Sequence, residues 1–271
     1  MKFLVTSIIV SYKSKWIIEN CIKSIKKKNK IIVIENSNDY ELKKNLEKKY
    51  NNIKVILNKN NGFGHGANLG ALNANTKYLL FLGPDTLLLK NNSIERIIQI
   101  AENLDNNFGA ILPVDYREKI NEITEIKKSC HGTLIFIKKD IFLKIGSFDE
   151  NFFLYYEDND LLERLLKKKL KIYKVPIKFK HFGRSHDKKH NEAIEINRNW
   201  HLMWSKFNFY KKNKNYLFAF FFLFPTLIRC SFKVSLNYFF NYRKYLIYKA
   251  RLSGLVNSYC HKKSWYRPRI I

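Results

Sequence analysis

LLFLGPDTLL, residues 79–88, decides how the chain is read. With Tyr78, its first four residues form an unbroken apolar run that a Gly-Pro-Asp turn ends. A strand wet on one face alternates apolar with polar residues; a strand covered on both faces does not. Tyr78–Leu82 therefore reads as a strand buried on both faces, with Asp85 just past its carboxyl end. Similar runs recur at Phe3–Val10, Ile31–Ile34, Ile53–Leu57, Gly109–Leu112, Thr133–Ile137 and Ile172–Val175. Helix-like stretches fall between them at Lys15–Lys27, Tyr40–Tyr50, Gly66–Ala74, Ser93–Leu104 and Asn159–Leu170. This alternation predicts an α/β fold, a mostly parallel sheet flanked by helices. Such sheets bind ligands beyond the carboxyl ends of their strands. Chemistry is thus expected at Ser11–Tyr12, at Glu35–Asn36–Ser37, from Asn60 to Gly66, and at Gly83–Pro84–Asp85.

The chain has 271 residues, 46% of them hydrophobic and 15% aromatic, enough for one large domain with an appendage. Its net charge of +27 favours anionic partners. Lys26–Lys28 and Lys167–Lys169 read as solvated helix ends. Zinc spacing, an RNP-like sequence and basic-region heptads are all missing, so charge and aromatics alone speak for nucleic acid. Cys21, Cys130, Cys230 and Cys260 lie far apart, which reads as reduced thiols in the cytoplasm. The opening MKFLVTSIIVSY has no small-residue cleavage site and reads as a first strand, not a signal peptide.

After about residue 205 the texture turns aromatic and basic, and a boundary is expected there: 1–205 catalytic, 206–271 a helical extension. The apolar run Tyr216–Ile228 contains Pro225 and is shorter than the roughly 20 residues of a comfortable membrane span. Aromatics beside Lys and Arg suit a helix lying in the membrane interface; a helical hairpin packed on the domain suits them equally.

Gly62, Gly64 and Gly66 give a weak G-x-G-x-x-A pattern. It does not open a helix directly from its strand, which counts against a dinucleotide site. Its glycines permit positive φ and close backbone approach to a ligand, and Asn61 and Asn68 add amides. A carboxylate at the end of a buried strand is costly unless a cation or donors meet it, which suits Asp85 to a hard divalent ion on phosphate oxygens. Glu157, Asp158, Asp160 and Glu163 crowd a helix start, where the helix dipole favours one or two of them. Asp158 or Asn159 can cap this helix with Asp160 in its first turn, which leaves Glu157, reached through the aromatics FFLYY, unexplained. His181 follows the next strand-like run and can ligate a metal.

Six pieces in order, IIVSYKS (8–14), VIENSND (33–39), NNGFGHGANLG (60–70), LLFLGPDT (79–86), GTLIFIKKDIFLKIGSFDENFFLYYEDNDL (132–161) and VPIKFKHFGRS (175–185), resemble inverting family 2 glycosyltransferases of the GT-A fold, of the rhamnosyltransferase-like kind. The resemblance covers roughly residues 5 to 186. It implies a Rossmann-like nucleotide-diphospho-sugar transferase. Ser11 and Tyr12 would lie under base and ribose, with Glu35 at the base-binding acid position and Ser37 beside it. Asn61, Gly62, Phe63, Gly64, Asn68 and Pro84 would line the donor. Asp85 would be the acid of a D-x-D-like motif, with Gly83 where an acid or amide is usual, and His181 would help the metal, Mg2+ or Mn2+. Asp158 would be the catalytic base, Tyr156 and Glu157 would face the acceptor, and Arg184 would contact the diphosphate.

The expected function is transfer of a sugar, rhamnose by resemblance, from a dTDP- or UDP-linked donor to a hydroxyl of a glycan or lipid-linked acceptor in cell-surface polysaccharide synthesis. The chain would be cytoplasmic, peripheral on the inner face of an anionic cell membrane. The competing readings are a non-catalytic sugar- or nucleotide-binding relative of the same fold and a basic nucleic-acid-binding protein.

Overall fold

The structure, a computed structural model, describes residues 3–25, 29–105, 107–128, 130, 132–183 and 191–267. It divides into two compact units, Met1–Asp149 with Asp158–Asp187, and Glu150–Glu157 with Lys188–Ile271. The boundary expected at residue 205 falls inside a helix of the second unit, and the aromatic segment 150–157 joins that unit too.

The first unit is built on strands β1 (Val5–Ser11), β2 (Lys30–Glu35), β3 (Ile53–Leu57), β4 (Tyr78–Leu82), β5 (Thr86–Leu88), β6 (Phe108–Asp115), β7 (Thr124–Ile126), β8 (Ile135–Lys138) and β9 (Lys171–His181). They form one sheet of order β3-β2-β1-β4-β8-β6-β9-β5, with β7 on β9. The half from β3 to β4 is parallel, as expected. In the other half β6 and β9 are parallel to each other and run with the first four strands, so six of the nine described strands share one direction, as expected of a mostly parallel sheet. There β8 runs against both β4 and β6, and β5 and β7 run against β9. Strand composition carries burial but not direction, and the excursion through residues 116–134 returns the chain from the opposite end.

Successive side chains of one strand point to opposite faces, and both faces are covered. Val5, Ile9, Val33 and Leu80 pack with Ile18 and Ile22 of α1 (Ile18–Ser24), Leu42 and Leu46 of α2 (Tyr40–Lys49), and Ile94 and Ile97 of α4 (Ser93–Asn103). Ile8, Ile34, Leu79 and Phe81 pack on the other side. Their partners are Ala67 and Ala71 of α3 (Phe63–Asn73), Phe142 of α5 (Lys139–Lys144), and Leu161, Leu162 and Leu165 of α6 (Glu157–Lys167). Helix α3 presses so closely that a Cβ on Gly70 would stand 2.5 Å from Ile8 Cγ2. That glycine serves helix–sheet packing, not a ligand.

The second unit holds α7 (Asn191–Asn213), α8 (Tyr216–Phe240) and α9 (Tyr242–Tyr259). Asn215 and Asn241 cap α8 and α9, their Oδ1 atoms accepting from Phe218 N–H at 2.8 Å and Lys244 N–H at 2.9 Å. Trp200, Trp204, Phe209 and Ala250 form one core with Phe152; Met203, Phe207, Ala219, Leu223 and Leu255 form another.

Candidate active site

The ends of β1, β2 and β3 are laced together. Asn36 N–H donates to Ser11 O at 2.8 Å, and Asn58 Nδ2 donates to Asn36 Oδ1 at 2.8 Å. Asn36 Nδ2 reaches Gly62 O at 3.4 Å. Asn36, within the Glu35–Asn36–Ser37 stretch expected to carry chemistry, thus ties the strand ends to the glycine turn. Gly62 has φ +110° at the start of α3, a conformation open to glycine.

Glu35 is fully buried, its Oε1 accepting from Ser37 N–H at 2.8 Å and from the Ser37 hydroxyl. Burial pushes its pKa up, and the Ser11 and Ser37 hydroxyls pull it partly back. Oε2 and Ser11 Oγ nevertheless complete no hydrogen bond of ordinary geometry. Two buried polar atoms left open at strand ends suit a ligand with polar edges, such as a nucleoside. Half-buried Tyr12 stands beside them; burial raises its pKa and a hydrogen bond with Asn60 lowers it.

The remaining expected donor residues divide. Asn61 is exposed, while Gly64 is buried in α3. Phe63 packs edge-on against Phe148, ring centroids 6.1 Å apart. Asn68 exchanges two hydrogen bonds of 3.0 Å with the Phe148 backbone, so the structure gives this amide to the fold.

Asp85 is buried just past β4, and Pro84 is buried with it. The β5–β9 pairing sets Thr86 opposite His181 and brings His181 Nε2 within 3.3 Å of Asp85 Oδ2. Phe182 N–H donates to Asp85 O at 3.1 Å. A Cβ on Gly83 would stand 2.9 Å from Asp85 Oδ1, so a side chain there would press on the carboxylate. The neighbouring Cys21 thiol is pushed up by burial and then by the Asp85 charge.

Asp158, half-buried, accepts from Gly132 N–H at 2.9 Å through Oδ2. Asn159 Nδ2 donates to Cys130 O at 2.8 Å, tying the same loop to α6. Cys130 is pushed up to about 11, by burial first and the Asp158 charge second. Antiparallel β4 and β8 pair Phe81 with Ile135. Asp85 follows the carboxyl end of β4, and Gly132, the partner of Asp158, shortly precedes the start of antiparallel β8, so the two acids, distant in sequence, lie toward the same end of adjacent strands.

Asp160 is fully buried and has a different task. Arg164 Nε donates to its Oδ2 at 2.8 Å, and the two Nη atoms donate to Ile145 O at 2.7 Å and Ser147 O at 2.6 Å. This clamp holds the turn where Gly146 and Ser147 have φ +93° and +56°. Asp115, at the end of β6, was missed. Its pKa is lowered by Arg117, whose Nε lies 2.6 Å from Oδ1. An acid closing a buried strand was the available signal, but Pro113 made the strand seem to stop early.

Residues 6–160, more than half of the chain, match the sequence model described as glycosyl transferase family 2. The chain belongs to glycosyl transferase family 2. Similar to it is the rhamnosyltransferase WbbL of Escherichia coli (strain K12), 23% identical over 184 residues that cover 54% of this chain and 69% of that protein. Among solved structures, the mannosyltransferase PcManGT from Pyrobaculum calidifontis, in complex with GDP-Man and Mn2+, superposes with TM-score 0.60 at 13% identity, covering 97% of this chain and 89% of that one. S. aureus TarS 1-349 superposes with TM-score 0.56 at 12% identity, covering 99% and 94%. These structural neighbours give the glycosyltransferase its GT-A fold.

The acceptor-side residues named from sequence, Tyr156 and Glu157, fall in the second unit, and Glu157 is buried. Tyr155 and Tyr156 both have φ +68°, a costly conformation for bulky residues. Their own unit holds them there. Ser205 Oγ donates to Leu154 O at 2.8 Å, Arg198 Nε donates to the Tyr155 hydroxyl, and Tyr156 packs on Phe209 at 5.3 Å. Arg184 lies outside the described residues.

Proposed function

We propose that the chain transfers a sugar, with inversion, from a nucleoside diphosphate to an acceptor hydroxyl. The observation that carries this reading is that two carboxylates lie toward the same end of neighbouring strands: Asp85 beside His181, and Asp158 oriented by Gly132 N–H. Ser11, Tyr12, Glu35 and Ser37 would take the nucleoside, with the open Oε2 and Oγ atoms supplying acceptor and donor.

Asp85 and His181 fit Mg2+ or Mn2+. Ligands at adjacent octahedral positions on a metal with bonds of about 2.1 Å stand roughly 3 Å apart, and this pair stands at 3.3 Å. Among the described residues no three His, Cys, Asp or Glu side chains gather into a metal cage, so water and diphosphate oxygens would complete the shell. A metal bound there supplies charge neutralisation of the leaving diphosphate.

Asp158 takes the proton of the acceptor hydroxyl as that oxygen attacks the anomeric carbon. The bond from that carbon to the diphosphate oxygen breaks on the opposite face, and the nucleoside diphosphate leaves with the electron pair. Asp158 is held by a backbone amide at the neighbouring strand end, and such positioning supplies much of the rate.

The name of WbbL supports rhamnose, and the GDP-Man of PcManGT supports a hexose on a nucleoside diphosphate; a dTDP- or UDP-linked donor and a glycan or lipid-linked acceptor complete the proposal. The free thiols support a cytoplasmic site. The test is a thermal-shift panel of nucleotide sugars with and without Mn2+, followed by transfer assays on the stabilising donor. Joint stabilisation by one nucleotide sugar and metal, with transfer lost in Asp158→Asn, is expected. Donor binding with no transfer to any glycan or lipid-linked acceptor would leave a sugar-binding relative instead.

A further inference from the structure

Helix α8 is long and apolar enough, by length and composition, to cross a membrane, and only 17% of its most apolar stretch is buried. This revises the sequence expectation, because the helix continues through Pro225 to Phe240. Two opposite faces stand out. Ala219, Leu223, Cys230 and Asn237 form a buried seam. Leu217, Phe221, Phe224, Ile228 and Phe232, at steps of three and four, form a stripe that is 42–68% exposed. At 3.6 residues per turn, the stripe lies opposite the seam.

We infer that α8 lies flat in one leaflet of an anionic membrane, with this stripe in the acyl boundary, and does not span. A span would put exposed Arg229, at the helix midpoint, into the middle of the hydrocarbon. It would also draw in α9, which runs antiparallel along α8. The Tyr216 hydroxyl donates to Tyr259 O at 3.1 Å at one end, and the Tyr238 and Tyr245 rings meet at 5.4 Å at the other. Arg243, Lys244, Lys249 and Arg251 of α9 would then enter the bilayer. Lying flat costs none of this. Arg229 and Lys233 fall on one flank of the stripe, and Lys206 Nζ sits 5.8 Å from the Phe222 ring, so cations line the edge where lipid phosphates would lie. The occupant is therefore an anionic bilayer surface, and a second copy of the chain is the alternative that the test must exclude. The inference stands independently of the transfer reaction.

The full chain is floated with vesicles of phosphatidylcholine alone or mixed with phosphatidylglycerol. Binding is expected to the mixed vesicles, to weaken with salt, and to fall at least tenfold in Phe221→Glu/Ile228→Glu with Tm and donor binding unchanged. Arg229→Glu/Lys233→Glu is expected to lose the preference for anionic lipid. In a Cys260→Ser background, Lys214→Cys and Tyr242→Cys on vesicle-bound protein should both react with an impermeant maleimide added outside. Protection of either one means a span and overturns the inference. Flotation indifferent to lipid charge overturns it too, as does an apolar stripe whose only effect is concentration-dependent dimerisation seen by light scattering.

Discussion

Strand β4 and helix α8 are both written in apolar letters and meet opposite fates. All five residues of β4 are buried, and its neighbours β1 and β8 cover both of its edges. Most of α8 faces outward, because α7 and α9 can cover only its small-residue seam. Hydrophobicity fixes what must leave water; the number of covering elements decides whether a core or some outside phase receives it. The sheet unit consequently spends its apolar surface on rigidity and places its chemistry at strand ends. The helical unit keeps apolar surface available.

The sharpest way to break this contrast is at the chemistry. Asp158→Asn should lower transfer about 10²–10⁴-fold while leaving donor-induced stabilisation and vesicle binding intact. Residual transfer near the wild-type rate would remove Asp158 as base.

A second comparison sets two glycines against each other. A Cβ on Gly254 of α9 would stand 2.2 Å from the Trp200 backbone oxygen, whereas one on Gly70 would stand 2.5 Å from a side-chain methyl of Ile8. Gly254→Ala should cost about 3 kcal/mol or more and Gly70→Ala about 1 kcal/mol, within the usual range of overpacking, read as Tm shifts. Equal shifts would mean that the helical unit yields as easily as the sheet.

The units should also answer pH in opposite directions. In the helical unit, burial holds His201 neutral, down to about 3 from 6.5, and the nearby Arg267 charge adds to this while Tyr266 O opposes it. Its contribution is complete above pH 6.5 and is lost as pH falls toward 3. At about pH 5 the loss is on the order of 1–2 kcal/mol, and His201→Gln should abolish that part of the acid sensitivity in melting curves. In the sheet unit Glu35 is raised above 4.5, so its stabilising protonated form is lost as pH rises through the raised value. Glu35→Gln should flatten this smaller slope without touching the acid one. A change in the acid slope would show that the two groups are not independent.

Much of the fold was legible. The apolar runs at 31–34, 53–57 and 78–82 became β2, β3 and β4 nearly residue for residue; β4 is buried throughout, while β3, at the end of the strand order, carries exposed Lys54. Prolines hid the ends of two other strands. The strand expected to end at Leu112 runs on to Asp115, and the one expected to end at Val175 runs to His181. The β6–β9 pairing absorbs both Pro113 and Pro176 in one shift of register. The same error concealed Asp115 and separated His181 from its strand.

By itself the sequence determined which residues leave water, where the chain turns, and that acids and amides stand at strand ends, since these follow from local composition. Tertiary structure alone decided which acid does what. Asp158 and Asp160 are two residues apart, yet one meets a backbone amide in the loop before β8 and the other an arginine in the core. A carboxylate's work is set by the groups that reach it through space, and those partners come from strands whose direction and register no local pattern encodes.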